Sequence, residues 1–213
     1  MNIILFGPPG AGKGTQAQFI VKNHNYFQLS TGDLLRIESR QNTLLGDKIK
    51  KLIKNGNFVS DEVVNNLLKK CITNLKFRDR IIFDGYPRNI DQAKNLDKIL
   101  IEFNQQISRV IFLNVDRSII EKRIMGRMTC EKCNKTLNEF FNEAEIELHP
   151  CGKKFLIKRT DDNLETVTAR YDTYMKTTIP VLDFYSKNTN FTEIDGDIGI
   201  EQITSKINDI LKV

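Results

Sequence analysis

Three features of the chain point to an α/β architecture with a parallel sheet between two helical layers. Apolar runs of strand length recur with helical patterns between them. The runs are nearly continuous instead of alternating, as strands covered on both faces must be. The first run closes in a glycine-rich turn that opens a helix. Such strand-then-helix alternation calls for right-handed crossovers and three packed layers.

In chain order, the strands are expected at Ile3-Ile4-Leu5-Phe6, Tyr26-Phe27-Gln28-Leu29-Ser30, Arg80-Ile81-Ile82-Phe83-Asp84, Arg109-Val110-Ile111-Phe112-Leu113-Asn114-Val115-Asp116 and Phe191-Thr192-Glu193-Ile194-Asp195. Helices are expected over residues 14–23, 61–74, 89–103, 118–125, 164–186 and 199–211. Two segments leave this rhythm. Residues 31–59 insert helical material after the second strand, with breaks expected at Gly46 and at Asn55-Gly56-Asn57. Residues 127–159 join a cysteine cluster to polar and short β-like pieces. Both read as excursions from one core, with no internal repeat, low-complexity tract or linker.

A chain of 213 residues buries roughly 70% of its unfolded surface, enough for a core without staples. With 40% hydrophobic and 28% charged residues it is neither a disordered tail nor a membrane-embedded protein. Its net charge of +5 suits an anionic ligand but is equally common on plain surfaces. No run spans a bilayer, and Met1-Asn2-Ile3-Ile4-Leu5-Phe6-Gly7 lacks a basic leader and cleavage site, so a cytoplasmic protein is expected.

Gly7-Pro8-Pro9-Gly10-Ala11-Gly12-Lys13-Gly14-Thr15 has P-loop spacing at Gly7, Gly12 and Lys13, with Gly14 placed before the hydroxyl residue. Glycines let successive N–H groups turn toward an anion, and the following helix presents its positive end. Lys13 adds a point charge, and the Thr15 hydroxyl can face phosphate or magnesium. Asp84, at the C-terminal end of an apolar run, is placed to hold magnesium or its waters.

Residues 7–16, the string Ser30-Thr31-Gly32-Asp33-Leu34-Leu35-Arg36, the string Asp84-Gly85-Tyr86-Pro87-Arg88 with Gln92, and Arg159-Thr160-Asp161-Asp162 with Arg170 together resemble the adenylate kinases of the nucleoside monophosphate kinase family. The resemblance runs through the whole chain and is of the long-lid kind. It implies one P-loop kinase domain over residues 1–213, with a five-stranded parallel core, an AMP-binding flap at 30–59 and a lid at 126–162. It also implies the reaction ATP + AMP ⇌ 2 ADP with Mg²⁺, serving adenine nucleotide homeostasis and salvage in a monomer that binds neither nucleic acid nor membrane.

Phosphoryl transfer between two polyanions needs positive charge and exclusion of water. Arg36, Arg88, Arg123, Arg127, Arg159 and Arg170 carry planar forks that match phosphate oxygens. By resemblance, Lys13, Asp84, Arg88, Arg123, Arg159 and Arg170 are the catalytic candidates, and Arg36 and Arg88 hold the AMP phosphate. The AMP site further takes Thr31, Asn57, Phe58, Val59, Gly85, Tyr86, Pro87, Gln92, Arg159 and Arg170, with the Gln92 amide suited to an adenine edge. The ATP site takes Gly10, Ala11, Gly12, Lys13, Gly14, Thr15, Arg127, Thr136, Leu137, Gly196 and Ile198. Ile198 stands where some relatives carry a cation, so a base contact there is through the backbone. Thr136-Leu137 stands where many relatives have an aromatic, so no ring is expected to stack on the donor base there. A kinase using GTP or another monophosphate, and a non-catalytic nucleotide sensor, are the competing readings.

Cys130-Glu131-Lys132-Cys133 supplies half of a tetrahedral zinc site. The family's second pair is incomplete, since Leu148 and Lys154 flank Cys151 at the usual spacing. His149 is the nearby donor of suitable type, giving Cys130, Cys133, His149 and Cys151 as the candidate structural zinc set. The alternatives are a metal-free knot packed by Phe140, Phe141, Leu148 and Phe155, a redox pair of Cys130 and Cys133, or a zinc ribbon for nucleic acid. Cys71 stands apart, in the 61–74 helix.

Overall fold

Each of the five apolar runs forms a strand, and the five make one fully parallel sheet in the order β2-β3-β1-β4-β8. These are β1 (Asn2–Phe6), β2 (Phe27–Ser30), β3 (Ile81–Asp84), β4 (Ile107–Asn114) and β8 (Asn190–Asp195). The computed structural model describes residues 1–55, 57, 59–73, 77–187 and 190–212. Phe58, the Gly56 break and the Asn74 end of the fourth helix therefore fall outside the described residues.

Because successive strand residues point to opposite faces, the apolar runs feed two cores. Ile4, Phe6, Leu29, Ile81, Phe83, Val110 and Phe112 face one layer, where they meet α4 (Asp61–Ile72), α5 (Ile90–Glu102) and α9 (Ile179–Ser186). Ile3, Leu5, Ile82, Ile111 and Leu113 face the other, packed by α1 (Lys13–His24), α6 (Arg117–Met125) and α10 (Ile200–Leu211). Among the described residues, no helix is long and apolar enough to cross a membrane.

The first excursion is a helical pair, α2 (Thr31–Ser39) and α3 (Leu44–Lys54). Gly46 does not break a helix as expected; it sits in the first turn of α3, whose Thr43 cap accepts from its N–H at 3.0 Å. A Cβ at Gly46 would lie 2.4 Å from the Gln41 carbonyl oxygen, so the glycine permits close packing of α3 on the chain leaving α2. The second excursion forms a small antiparallel sheet, β6-β5-β7, from β5 (Arg127–Cys130), β6 (Thr136–Asn138) and β7 (Leu156–Ile157), with the short helix α7 (Glu143–Glu147). Its core is Cys130, Leu137, Ile146 and Leu156. Of the four side chains that the metal-free alternative invokes, Phe140, Phe141 and Leu148 are more than half exposed, while Phe155 packs against this core.

The predicted helix over 164–186 is interrupted. α8 (Leu164–Thr173) passes through a π-helical turn, Tyr174–Thr178, before α9 begins. Pro180 explains the turn: it has no N–H to donate, and its ring would press on the Lys176 carbonyl four residues back. The Ile179 N–H reaches instead to the Tyr174 carbonyl, five residues back.

Candidate active site

The strands of the parallel sheet end on one side, and the loops that leave them line a cleft of about 1820 Å³. The loop after β1 turns through Gly10 and Gly12 at φ 81° and 88°. A Cβ at Gly10 would stand 2.8 Å from Ile124 in α6, so that position needs glycine for both conformation and space. Helix α1 then starts without a side-chain cap and without an acid in its first turn, leaving its N–H groups to the cleft. Lys13 Nζ donates to the Gly7 and Pro8 carbonyls at 2.7 and 2.9 Å. Burial, with Arg88 and Arg127 adding to it and Asp84 opposing, brings Lys13 down from its ordinary 10.5 to about 8.

Asp84 ends β3 beside the start of α1 and accepts from Gln28 Nε2 at 2.8 Å. Burial raises its pKa, against the pull of Lys13 and the Gln28 bond. Oxygen donors at Asp84 and Thr15 beside a phosphate loop form the hard set that magnesium takes, so the residues fit that ion.

All six expected arginines come together on this cleft with Lys13, although they arise from α2, the β3–α5 loop, α6, β5, the chain before α8, and α8 itself. Arg127 forks onto the buried carboxylate of Asp162, with Nε 2.8 Å from Oδ2. Arg170 pairs with Asp161 and Arg36 with Asp33. Arg123 donates to the Gly196 carbonyl at 2.8 Å, and Arg88 Nε donates to the Gly85 carbonyl at 2.7 Å. Arg88 and Arg159 are each brought down to about 10, first by burial and next by neighbouring guanidinium groups, Arg170 for one and Arg127 for the other. Cations so placed repel one another, and phosphate oxygens entering between them relieve that repulsion.

The remaining candidates divide. Residues 10–15, Asn57, Val59, Gly85, Pro87, Thr136, Leu137 and Ile198 line the cleft. The Leu137 side chain is buried in the small sheet's core, leaving its backbone to the cleft. The Tyr86 ring, against expectation, lies in the main core with its hydroxyl donating to Asn65 Oδ1 at 2.8 Å, which leaves its backbone, not its side chain, on the loop. Thr31 and Gln92 are buried under the cleft wall. Thr31 Oγ1 donates to the Gly85 carbonyl at 2.9 Å, while Gln92 accepts from the Arg88 N–H at 2.7 Å and donates to Asp61. A glutamine amide keeps a second N–H and a second lone pair, so a base edge remains within its chemistry. Gly196 donates to the Asn114 carbonyl at 2.6 Å and receives Arg123.

Sequence reasoning assigned no role to Asp161, Asp162, Asp33 or Gln28, the groups that orient Arg170, Arg127, Arg36 and Asp84. The signal for three of them was present, since each acid lies within a motif string that also carries a cleft arginine.

The cysteine cluster closes as its donors predicted. Single ligand atoms from Cys130, Cys133, His149 and Cys151 lie within 4.8 Å of one another, and Cys133 Sγ is 3.6 Å from His149 Nε2. Desolvation pulls the Cys130 thiol up, but the Cys133 and Lys132 N–H groups and the His149 ring outweigh it and bring it down to about 6. Three sulfurs and an imidazole are a soft set that fits zinc and not magnesium.

Comparison with known proteins agrees with this geometry. The adenylate kinase family profile matches residues 5–190. The chain is 73% identical over 213 residues to the adenylate kinase of Pelagibacter ubique (strain HTCC1062), covering 100% of both chains. It is 44% identical over 212 residues to the adenylate kinase of Fusobacterium nucleatum subsp. nucleatum, covering 99% of this chain and 98% of that one. It is 39% identical over 215 residues to that of Mycoplasma mycoides subsp. mycoides SC, covering 100% of both. A cleft lined by a phosphate loop and six arginines, in a chain matched from end to end, places it in one family: this protein belongs to the adenylate kinases, phosphotransferases that interconvert ATP plus AMP with two ADP.

Proposed function

We propose that ATP lies with its phosphates on the Gly10–Thr15 loop under Arg123 and Arg127, and that AMP enters between Arg36, Arg88 and the Asn57–Val59 segment. The observation that carries this is the convergence of Lys13 and six arginines on one cleft. Lys13, Arg123, Arg159 and Arg170 surround the moving phosphoryl group, and the AMP phosphate supplies the attacking oxygen. Magnesium, held near Asp84 and Thr15, neutralises charge between the ATP phosphates when bound. The chain's own part is to hold both nucleotides in line and to keep water out. The flap at 31–59 and the lid at 127–162 are the segments that shut the cleft when both nucleotides bind. Every group named comes from one chain, so a monomer suffices. Its free thiols suit a reducing compartment, and we place it in the cytoplasm.

Comparing ATP and GTP as donors to AMP, CMP, UMP and dTMP tests the substrate pair. ATP with AMP is expected to be fastest, and equal rates with another pair would contradict the assignment.

Nucleotide phosphates beside Lys13 should restore its depressed affinity for a proton. At pH 8.5, above the free chain's value of about 8, ATP binding is therefore expected to take up a proton that it does not take up at pH 6.5. Calorimetry in buffers of different ionisation enthalpy measures this. Equal proton exchange at both pH values, or uptake that survives in Lys13→Met, would count against it.

We also propose one structural zinc on Cys130, Cys133, His149 and Cys151, which stabilises the small sheet and takes no part in transfer. Elemental mass spectrometry of metal-replete protein should give one zinc per chain, lost in His149→Ala and kept in Cys71→Ser. Zinc-free wild type, or full retention in His149→Ala, would show the ligand set to be wrong.

A further inference from the structure

We propose that Thr178 is a positioning residue for Arg88, brought to it by the π-helical turn Tyr174–Thr178. Arg88 lies in the loop between β3 and α5, outside any ladder that would fix its backbone. Its N–H meets Gln92 Oε1 at 2.7 Å, and its Nε meets the Gly85 carbonyl at 2.7 Å. The Gly85 bond closes within the loop, and the Gln92 bond joins the loop to the first turn of α5. The Arg88 carbonyl, by contrast, accepts from Thr178 Oγ1 at 3.0 Å, from a helix ninety positions away. Of the three bonds, that one ties the loop to a segment distant in the chain, the π turn that leads into α9.

The local helix geometry sets this contact. Thr178 joins the π turn to α9 without a break, at φ −96° and ψ −33°, so its hydroxyl is not needed as a cap and donates to the Arg88 carbonyl. In a regular α-helix, residues eight apart point about 80° away from each other. A π turn adds one residue to the turn and winds the downstream face back by about 100°, leaving Arg170 and Thr178 only about 20° apart. Both accordingly line the cleft, with Tyr174 between them. Pro180 fixes where the extra residue goes, because the α-helical bond it cannot make is the one that would pass through this turn.

The consequence for the reaction is geometric. Holding the carbonyl fixes the Arg88 peptide, and so the direction from which the guanidinium meets phosphate. Misplacement by about 1 Å can lower a rate up to about 10²-fold.

This inference rests on the proposed contact of Arg88 with the AMP phosphate, and the test separates the two. Thr178→Val keeps the shape and removes the hydroxyl, whereas Thr178→Ser keeps the hydroxyl. Steady-state rates would be measured for both, in the wild-type and Arg88→Ala backgrounds. Thr178→Val is expected to lower kcat/KM for AMP about 10-fold with KM for ATP unchanged, Thr178→Ser to stay within about twofold of wild type, and Thr178→Val to cause no further loss once Arg88 is alanine. If Thr178→Val does not fold, Thr178→Ala is read in the same way. An undiminished loss in the Arg88→Ala background, a Thr178→Val enzyme within twofold of wild type, or a serine variant as poor as the valine one would overturn the proposal. Full activity in Arg88→Ala alone would instead overturn the reading of Arg88.

Discussion

Alanine at Arg88 or at Lys13 is expected to lower kcat by roughly 10²-fold or more, the scale on which a single preorganised charge acts in a transition state. Both groups are partly buried at the cleft, and desolvation is the first cause of their lowered pKa values. Such cations are stabilised by substrate phosphates, most of all as charge spreads over the transferring group. Arg88→Lys should recover only part of the loss, because an ammonium keeps the charge without the fork. Initial rates of ADP formation at saturating ATP and AMP measure this. Activity within threefold of wild type in both alanine variants would contradict the proposed phosphate contacts.

Phe83→Ala is expected to lower stability by about 4 kcal/mol, through loss of transfer free energy and the cavity left behind. Phe83 is fully buried in the interior strand β3, beside Ile4 of β1 and Leu29 of β2. For a chain of this size that corresponds to a fall in melting temperature of about 10 °C. The same strand ends in Asp84 and leads into Gly85 and Arg88, so the loosened core would also blur the site. Thermal unfolding followed by circular dichroism would decide it; a shift below about 3 °C would mean that the β3 layer does not carry the core as described.

Much of the fold was legible because its signals are local. Runs such as Ile81-Ile82-Phe83 announce doubly covered strands, and Gly7 to Thr15 carries its phosphate chemistry in consecutive residues. The arginines were a different matter. Nothing in the local surroundings of Arg36 or Arg170 separates them from surface charges, and family resemblance had to gather them. Features built from long-range contacts stayed hidden. Gly46 reads as a helix breaker until the Gln41 carbonyl beside it is seen. Tyr86 sits in a motif string with Gly85 and Arg88, yet the backbone turns its ring into the core. The helix over 164–186 has an α pattern throughout, and only Pro180 hints at a wider turn. The cysteine cluster lay between these extremes: the donors were readable, but their closure needed α7 and the turn at Gly152 to fold His149 back onto the thiols.

The most direct test of the central claim, that this cleft passes phosphate between two nucleotides while excluding water, compares two products from one enzyme preparation. ADP would be measured from ATP with AMP, and inorganic phosphate from ATP alone, both with magnesium. Rapid ADP formation with phosphate release at background is the predicted result, since the arginines complete their cage only around both substrates. Phosphate release at a rate comparable to ADP formation would contradict it.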